Sequence, residues 1–198
     1  KTVWFHCSSL GEFEQGRPVI EAIKKKHPGK KIALTFFSPS GYEIRKNYEG
    51  ADLVVYLPPD TPGSAHRFVD ALQPDMAVFV KYEFWPFFFR ALHKRNIPLY
   101  SVSAIFRRQQ IFFKWYGRWF RKALQAVTRF YVQDEKSGEL LSSLGFFNYK
   151  VVGDTRFDRV KATVDAAVDV PVAAAFAAYS GFVLVAGSTW PPDEEMLV

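Results

Sequence analysis

Glu12 is the residue whose surroundings most clearly suggest chemistry, because it stands where an apolar strand at 2–7 breaks and a helix begins. Ligands of open parallel sheets bind beyond the carboxyl ends of the strands, so a carboxylate placed there can act as a general base that removes a proton from a substrate hydroxyl. Ser9 and Glu12 also have the spacing of a capping box, in which Glu12 is a structural helix cap, and spacing alone favours that interpretation. Gly11 would let a substrate approach the backbone closely. The two roles are compatible, and the helix dipole is expected to keep the Glu12 carboxylate ionised.

Glu83 is a second candidate, since it follows an apolar strand at 76–80 and is the only acid in a strongly basic segment. If the strands are parallel, their carboxyl ends share one edge of the sheet. Glu12, Glu83, the Ser38–Gly41 turn and the segment 103–107 would then lie along that edge. The alternative for Glu83 is a structural ion pair with a nearby arginine. The Trp-Pro pair that follows Glu83 is expected to open a helix and pack rather than bind a ligand.

The elements that must position these residues alternate along the chain. Apolar strand-like runs are predicted at 2–7, 31–36, 53–57, 76–80, 98–102, 129–132 and 150–152. Helices are predicted between them at 12–26, 42–48, 63–72, from Pro86 to about 95, at 110–126 and at 134–144. This alternation predicts an α/β fold with a Rossmann-like parallel sheet. The strands are nearly continuous apolar runs, which is typical of a sheet covered on both faces.

The character of the chain changes after about Val160. Residues 165–179 are rich in alanine, 182–186 have the composition of a new strand, and 187–195 read as a strand-to-helix turn with proline at the helix start. We therefore predict an N-terminal domain at 1–160, a linker at 161–180 and the first elements of a second, truncated α/β domain at 181–198. Native sequence is also expected to be missing in front of residue 1, where any anchor would lie.

Charge is distributed very unevenly. The chain has a net charge of +6, but residues 81–130 contain eleven lysines and arginines and one acid, a net charge of +10, so the rest sums to −4. The same segment holds 15 of the 34 aromatic residues, concentrated in the predicted helix 110–126. A basic, aromatic segment indicates an anionic partner with an apolar part. Lipid headgroups fit that description best, and nucleic acid is the rival.

Several common chemistries find no support in the sequence. It has no Asp-x-Asp pair, no Walker A motif and no Gly-x-Gly-x-x-Gly motif, and its four histidines have no metal-ligand spacing. The histidines are therefore expected to be structural or on the surface, and no metal or cofactor is expected. No apolar run has the roughly 18 residues that a membrane-spanning helix needs. The single cysteine, Cys7, excludes an internal disulfide and is expected to be a buried thiol rather than a nucleophile.

Five motifs together resemble one enzyme family. They are Ser8-Ser9-Leu10-Gly11-Glu12, Ser38-Pro39-Ser40-Gly41, Tyr82-Glu83-Phe84-Trp85-Pro86, Ser103-Ala104-Ile105-Phe106-Arg107 and Gly153-Asp154-Thr155-Arg156-Phe157-Asp158. With them the chain resembles the N-terminal half of the 3-deoxy-D-manno-octulosonic acid (Kdo) transferases of glycosyltransferase family 30. Two positions depart from the family's usual pattern, Ser8 where alanine is common and Phe87 where asparagine is common.

The resemblance implies the N-terminal, acceptor-binding domain of a GT-B glycosyltransferase. It implies transfer of Kdo from CMP-Kdo to a lipid A precursor, inverting and metal-independent, at the cytoplasmic face of the bacterial inner membrane. Glu12 would be the catalytic base and Glu83 a second catalytic residue. Substrate contacts would come from Ser9, Gly11, Ser38, Ser40, Gly41, Arg107 and Arg156, the arginines holding the Kdo carboxylate or acceptor phosphates.

One further expectation and two alternatives remain. The fragment should be inactive alone, because most of the donor domain is absent from it. The first alternative is a GT-B enzyme with another nucleotide-sugar donor. The second, weaker one is a nucleic-acid-binding module that uses the basic segment, although no recognition motif accompanies the charge.

Overall fold

All seven strands of the predicted sheet form in a computed structural model, which describes residues 1–166, 170–178 and 182–197. They are β1 Thr2–His6, β2 Lys31–Phe36, β3 Leu53–Tyr56, β4 Met76–Val80, β5 Leu99–Ala104, β6 Arg129–Val132 and β7 Tyr149–Val151. Every neighbouring pair is parallel, in the order β3-β2-β1-β4-β5-β6-β7. The chain thus builds outward from β1 to β3 and then returns to add β4 on the other side of β1. The β1/β4 pair is the switch point at which open α/β sheets leave a crevice for ligands.

The helices between the strands follow as expected, with bounds that differ by a few residues from the predicted ones except in the segment 110–126, and α7 was not predicted. They are α1 Leu10–Lys26, α2 Pro39–Arg45, α3 Pro62–Leu72, α4 Pro86–Lys94, α5 Arg118–Leu124, α6 Glu135–Ser143, α7 Arg156–Asp165, α8 Pro171–Ala178 and α9 Pro191–Glu195. The side chains of Ser38, Thr61 and Asp134 cap α2, α3 and α6 by accepting from a backbone N–H of the first turn. Pro18 lies inside α1 rather than in its first turn.

The sheet is buried on both faces, as its apolar strands predict. Along β1, Trp4 belongs to the cluster formed with α3, α4 and α5, whereas Phe5 belongs to the cluster formed with α1. This alternation follows from the two-residue period of a strand. Trp4, Phe5 and Phe13 are fully buried. The core therefore fixes the carboxyl end of β1 and the start of α1, and Glu12 lies in the first turn of that helix.

The predicted continuous helix at 110–126 is wrong. The segment forms a 3-10 turn at Ile111–Phe113 and then the short helix α5. Lys114 is extended, and a Cβ added at Gly117 would lie 1.8 Å from the Ile111 carbonyl oxygen, so the chain folds back tightly at a position that only glycine can occupy. The close approach at Gly117 breaks the helix, and Trp115 and Tyr116 are left exposed on the resulting turn.

By its internal contacts the chain divides into two units, Lys1–Lys161 and Ala162–Val198. In the second unit α8 and α9 form, and α9 begins with two prolines, as predicted, and carries Asp193 and Glu194 in its first turn. The strand predicted at 182–186 does not form, because the residues described there pair with no other strand. The predicted linker and domain start include residues 167–169 and 179–181, which lie outside the described ranges. None of the helices in the described part of the chain is both long and apolar enough to cross a membrane.

Candidate active site

Glu12 lies in the first turn of α1 and is 7% exposed. Its Oε2 atom accepts hydrogen bonds from the backbone N–H groups of Ser8, at 2.7 Å, and Ser9, at 3.3 Å. Ser9 is the N-cap residue of α1, and the carboxylate reaches back to it as the capping box predicts. Both bonds act on Oε2, which leaves Oε1 without a hydrogen bond from the described residues. Glu12 is therefore held by one oxygen and can accept a proton with the other.

Glu83 follows β4 and is linked to Glu12 through Ser8, which donates a hydrogen bond to each carboxylate. Its Oε2 atom accepts from the Ser8 hydroxyl at 2.5 Å and from Trp85 Nε1 at 2.7 Å, and it lies 3.4 Å from His6 Nε2. The arginine partner considered from the sequence is wrong, since the basic group beside this carboxylate is His6. Trp85, expected only to pack, also orients Glu83 through its indole N–H.

The two carboxylates have pKa values displaced in opposite directions. Burial, followed by the negative charge of Glu83, raises the pKa of Glu12 from 4.5 to about 7, against the Ser8 and Ser9 N–H groups and Lys81. The expectation that the helix dipole keeps Glu12 ionised is therefore wrong, because burial beside a second carboxylate outweighs it. Burial also raises the pKa of Glu83, but the adjacent His6 ring and the hydrogen bonds from Ser8 and Trp85 prevail and hold it below the ordinary value. Such divergence separates a proton-accepting carboxyl from a permanently ionised one.

Cys7 precedes this cluster and is fully buried, as expected. Burial, with the charges of Glu12 and Glu83, raises the pKa of its thiol well above the ordinary value. Since the thiolate is the reactive form, Cys7 is a poor nucleophile here.

The Ser38–Gly41 turn packs directly against the Ser8–Gly11 turn. The backbone N–H groups of Phe37 and Ser38 donate to the Ser8 carbonyl oxygen, and a Cβ added at Gly41 would lie 3.1 Å from the Ser9 backbone. Beside it Ser38 is half-buried and Ser40 is exposed, and their hydroxyls lie 2.9 Å apart. A Cβ added at Gly11, by contrast, would meet nothing within 4 Å. The structure thus brings Ser9, Gly11, Ser38, Ser40 and Gly41 together around Glu12.

The two candidate arginines are not part of this cluster. Arg107 lines a separate depression with Asp134 and Lys136, and no contact in the described chain joins it to Glu12 or Glu83. The Arg156 guanidinium pairs with Asp154, its Nε atom 2.7 Å from Oδ2.

The Gly153–Arg156 turn is anchored at the carboxyl end of β5 and on α1. Asp154 accepts from Gln15 Nε2, and Thr155 contacts the Ser103 hydroxyl and the Gln15 carbonyl oxygen. Ser103 has a φ of 52°, and Lys81, at the end of β4, has a φ of 67°. Two of the five non-glycine residues with a positive φ in the described chain thus lie at the edge of the sheet where Glu12 and Glu83 lie.

His6 is the site residue that sequence reasoning missed. It is fully buried at the end of β1, its ring packed against Phe79 and Trp85. The available signal was a histidine as the last strand residue before the turn that carries Glu12. Spacing along the chain does not reveal this role, because the partners of His6, Thr35 and Glu83, are 29 and 77 residues away. Within the described residues no group of three His, Cys, Asp or Glu side chains is arranged to hold a metal ion.

Comparison with known proteins gives one consistent family. Residues 1–159 match the family model described as 3-deoxy-D-manno-octulosonic-acid transferase (kdotransferase). The 3-deoxy-D-manno-octulosonic acid transferase of Haemophilus influenzae is 28% identical over 163 residues, which cover 79% of this chain and 38% of the relative. That of Aquifex aeolicus is 35% identical over 109 residues, covering 54% of this chain and 30% of the relative. The chain therefore spans well under half the length of these curated relatives.

Solved structures identify the fold. The UDP-GlcNAc 2-epimerase of Neisseria meningitidis bound to UDP-GlcNAc superposes with a TM-score of 0.63 at 16% identity, covering 84% of this chain and 50% of the epimerase. An Acinetobacter baumannii MurG superposes with a TM-score of 0.50 at 9% identity, covering 69% of this chain and 42% of MurG. At these identities the likeness concerns the fold alone. The predicted class, a Rossmann-like parallel sheet as in the N-terminal half of GT-B proteins, is confirmed.

Proposed function

The chain belongs to the 3-deoxy-D-manno-octulosonic-acid transferase family, and from this premise we propose that the intact protein transfers Kdo from CMP-Kdo to a lipid A precursor. The described part of the chain supplies the acceptor side and the catalytic base. The remainder of the intact protein supplies the donor site. The fragment alone is inactive in this proposal, because transfer needs both sides.

One observation carries the proposal. Glu12 is a largely buried carboxyl with a pKa of about 7, held by one oxygen at the β1/β4 switch point, with open space over Gly11. A general base is most effective when its pKa lies near the working pH. Glu83 stays ionised beside Glu12, and its negative charge helps to keep the pKa of Glu12 high.

The proposed reaction is a single displacement. The oxygen of an acceptor sugar hydroxyl attacks the anomeric carbon of Kdo, its proton passes to Glu12, and the bond from that carbon to the CMP oxygen breaks, with inversion. No metal takes part. Ser9, Gly11, Ser38, Ser40 and Gly41 border the acceptor. Arg107, in its separate depression, is the better candidate for an acceptor phosphate, since Asp154 already pairs with Arg156.

The acceptor is a lipid, and the basic segment offers a surface for the leaflet that carries it. Trp115, Tyr116 and Trp119 are exposed, and Lys114, Arg118 and Lys122 lie among them in sequence. Exposed aromatics interleaved with cations are typical of helices and turns that rest on anionic membranes. We place the intact protein at the cytoplasmic face of the bacterial inner membrane.

A donor comparison on the intact protein tests the reaction. CMP-Kdo and a lipid A precursor should give a Kdo-extended lipid by mass spectrometry, and UDP-sugars should give none. Turnover of a UDP-sugar without turnover of CMP-Kdo would establish the alternative, a GT-B enzyme with another donor. Tight RNA binding without either activity would favour the nucleic-acid-binding alternative.

A further inference from the structure

His6 is enclosed on every side that the structure describes. Its Nδ1 atom lies 2.9 Å from Thr35 Oγ1, and its Nε2 atom lies 3.4 Å from Glu83 Oε2. The second distance is that of an ion pair rather than of a full hydrogen bond, and Nε2 is a buried polar atom without a hydrogen-bond partner. Buried polar atoms nearly always have a hydrogen-bond partner, so the unpartnered Nε2 atom that faces Glu83 Oε2 needs an explanation.

Counting protons around Thr35 limits the states of His6. The Trp4 indole N–H can only donate, and it donates to Thr35 Oγ1 at 2.9 Å. The single hydroxyl proton of Thr35 then has two acceptors within reach, the Phe5 carbonyl oxygen at 3.2 Å and His6 Nδ1. If it goes to Phe5, Nδ1 must carry its own proton. If it goes to His6, Nδ1 is bare and the neutral ring carries its proton on Nε2.

One of the resulting arrangements is disfavoured by Glu83. A neutral ring protonated on Nδ1 would point the bare lone pair of Nε2 at an ionised carboxylate 3.4 Å away, in a site without solvent at His6. The doubly protonated ring and the neutral ring protonated on Nε2 both point an N–H at Glu83 instead. The Thr35 hydroxyl can switch acceptor between these two states without moving any heavy atom.

We propose that His6 is a positioning residue that carries a proton on Nε2 in both of its charge states and directs it at Glu83 Oε2. His6 is thus the third donor to that oxygen, after Ser8 and Trp85. It aims Glu83 and holds its negative charge where it acts on Glu12. The kinetic consequence rests on the proposed transfer reaction, whereas the proton assignment does not.

The charged and titratable groups around His6 are few. Glu83 acts on His6, on Glu12 and on Cys7, and Lys81 acts on Glu12. Burial lowers the pKa of His6, against the opposing effect of Glu83, so the neutral ring is the form to observe at alkaline pH.

Nitrogen-15 NMR of the 198-residue chain tests the proton assignment without any activity measurement. Long-range proton–nitrogen spectra at alkaline pH, with the His6 signals identified by their loss in His6→Gln, should show the neutral ring protonated on Nε2. His27, which is exposed, serves as the reference ring in the same sample. A neutral His6 ring protonated on Nδ1 would overturn the proposal.

Paired substitutions in the intact protein test the positioning role. Glutamine places its amide nitrogen near the position of Nε2 and can still donate to Glu83, whereas asparagine places its amide near Nδ1 and cannot. We expect His6→Asn to lower kcat about 100-fold at unchanged acceptor KM, as a misplaced catalytic group does, and His6→Gln to recover at least tenfold of that loss. Equal losses in the two folded variants would reduce His6 to a packing role. If the wild-type protein proves inactive with CMP-Kdo, the proposed function fails, while the NMR result still decides the proton assignment.

Discussion

The Ser8 hydroxyl donates to Glu83 Oε2 at 2.5 Å, across 75 residues of sequence, while the backbone N–H of the same serine donates to Glu12. One residue therefore fixes both carboxylates, each by a different donor. The arrangement couples their charges, because burial and, after it, the negative charge of the ionised Glu83 raise the pKa of Glu12 to about 7.

Ser8→Ala should remove the hydroxyl contact and keep the backbone contact to Glu12. The free energy of unfolding should fall by roughly 1.5–3 kcal/mol at pH 7, the usual value for a hydrogen bond to a charged group. Because the pKa of Glu83 is lowered in the folded state, this contribution exists above the ordinary glutamate pKa and is lost as pH falls through the folded value. Urea unfolding at pH 7 and in acid measures both. A cost that does not shrink in acid would show that the contact is not with a carboxylate.

Glu12→Gln should abolish transfer by the intact protein while making it more stable. Loss of a general base costs about 100-fold to 10,000-fold in kcat. Glu21→Gln, on the exposed side of the same helix, is the matched control and should keep full activity. A folded Glu12→Gln variant with near-normal turnover would remove Glu12 from the mechanism.

The stability gain follows from the raised pKa of Glu12. The folded pKa of about 7 lies above the unfolded value of 4.5, so ionisation opposes folding as pH rises between them. Glu12→Gln should therefore match the wild type near pH 4 and exceed its free energy of unfolding by roughly 3 kcal/mol at pH 8. Urea unfolding of the chain at the two pH values checks this. A stability difference that is independent of pH would contradict the raised pKa.

The pH profile of transfer should report the same group. A general base works only when deprotonated, so kcat/KM should rise with pH up to an inflection near pH 7 and then level off. Glu83→Gln should move that inflection to lower pH, since it removes the carboxylate that raises the pKa of Glu12. An inflection near the ordinary glutamate value in the wild type would contradict the assignment.

Gly11→Ala should fold normally and bind acceptor poorly. Its added methyl group meets no protein atom within 4 Å, so thermal unfolding should be unchanged, while the acceptor KM should rise at least about tenfold. Gly41→Ala is the informative contrast, because its methyl group would lie 2.3 Å from the Phe36 ring and should cost about 1–3 kcal/mol of stability. Unchanged acceptor kinetics in Gly11→Ala would place the substrate elsewhere.

Trp115→Ser should weaken binding to anionic vesicles about tenfold, the effect of removing one large apolar contact. Trp115 is 89% exposed, and Phe147, 76% exposed and outside the basic segment, provides the control substitution Phe147→Ser. Sedimentation with phosphatidylglycerol vesicles at low and high salt measures the binding. Equal behaviour of the two variants would move the membrane contact away from the basic segment.

The sequence by itself determined the sheet and the positions of its strands, and it singled out Glu12 and Glu83 as candidate site residues. Those features depend on local hydrophobic periodicity, on turn composition and on motifs that can be read along the chain. The continuous helix predicted at 110–126 does not form, because a single close approach at Gly117 outweighs the helix-favouring composition of the segment.

Only the tertiary structure decided what surrounds the two carboxylates. Strand order places β1 beside β4, and this pairing brings Ser8 and His6 to Glu83. Spacing along the chain carries no information about contacts between residues 75 or 77 positions apart. The raised pKa of Glu12 was likewise invisible in the sequence, where only the favourable helix dipole could be seen. It arises from burial and from a second charge, and both exist only once the sheet has assembled.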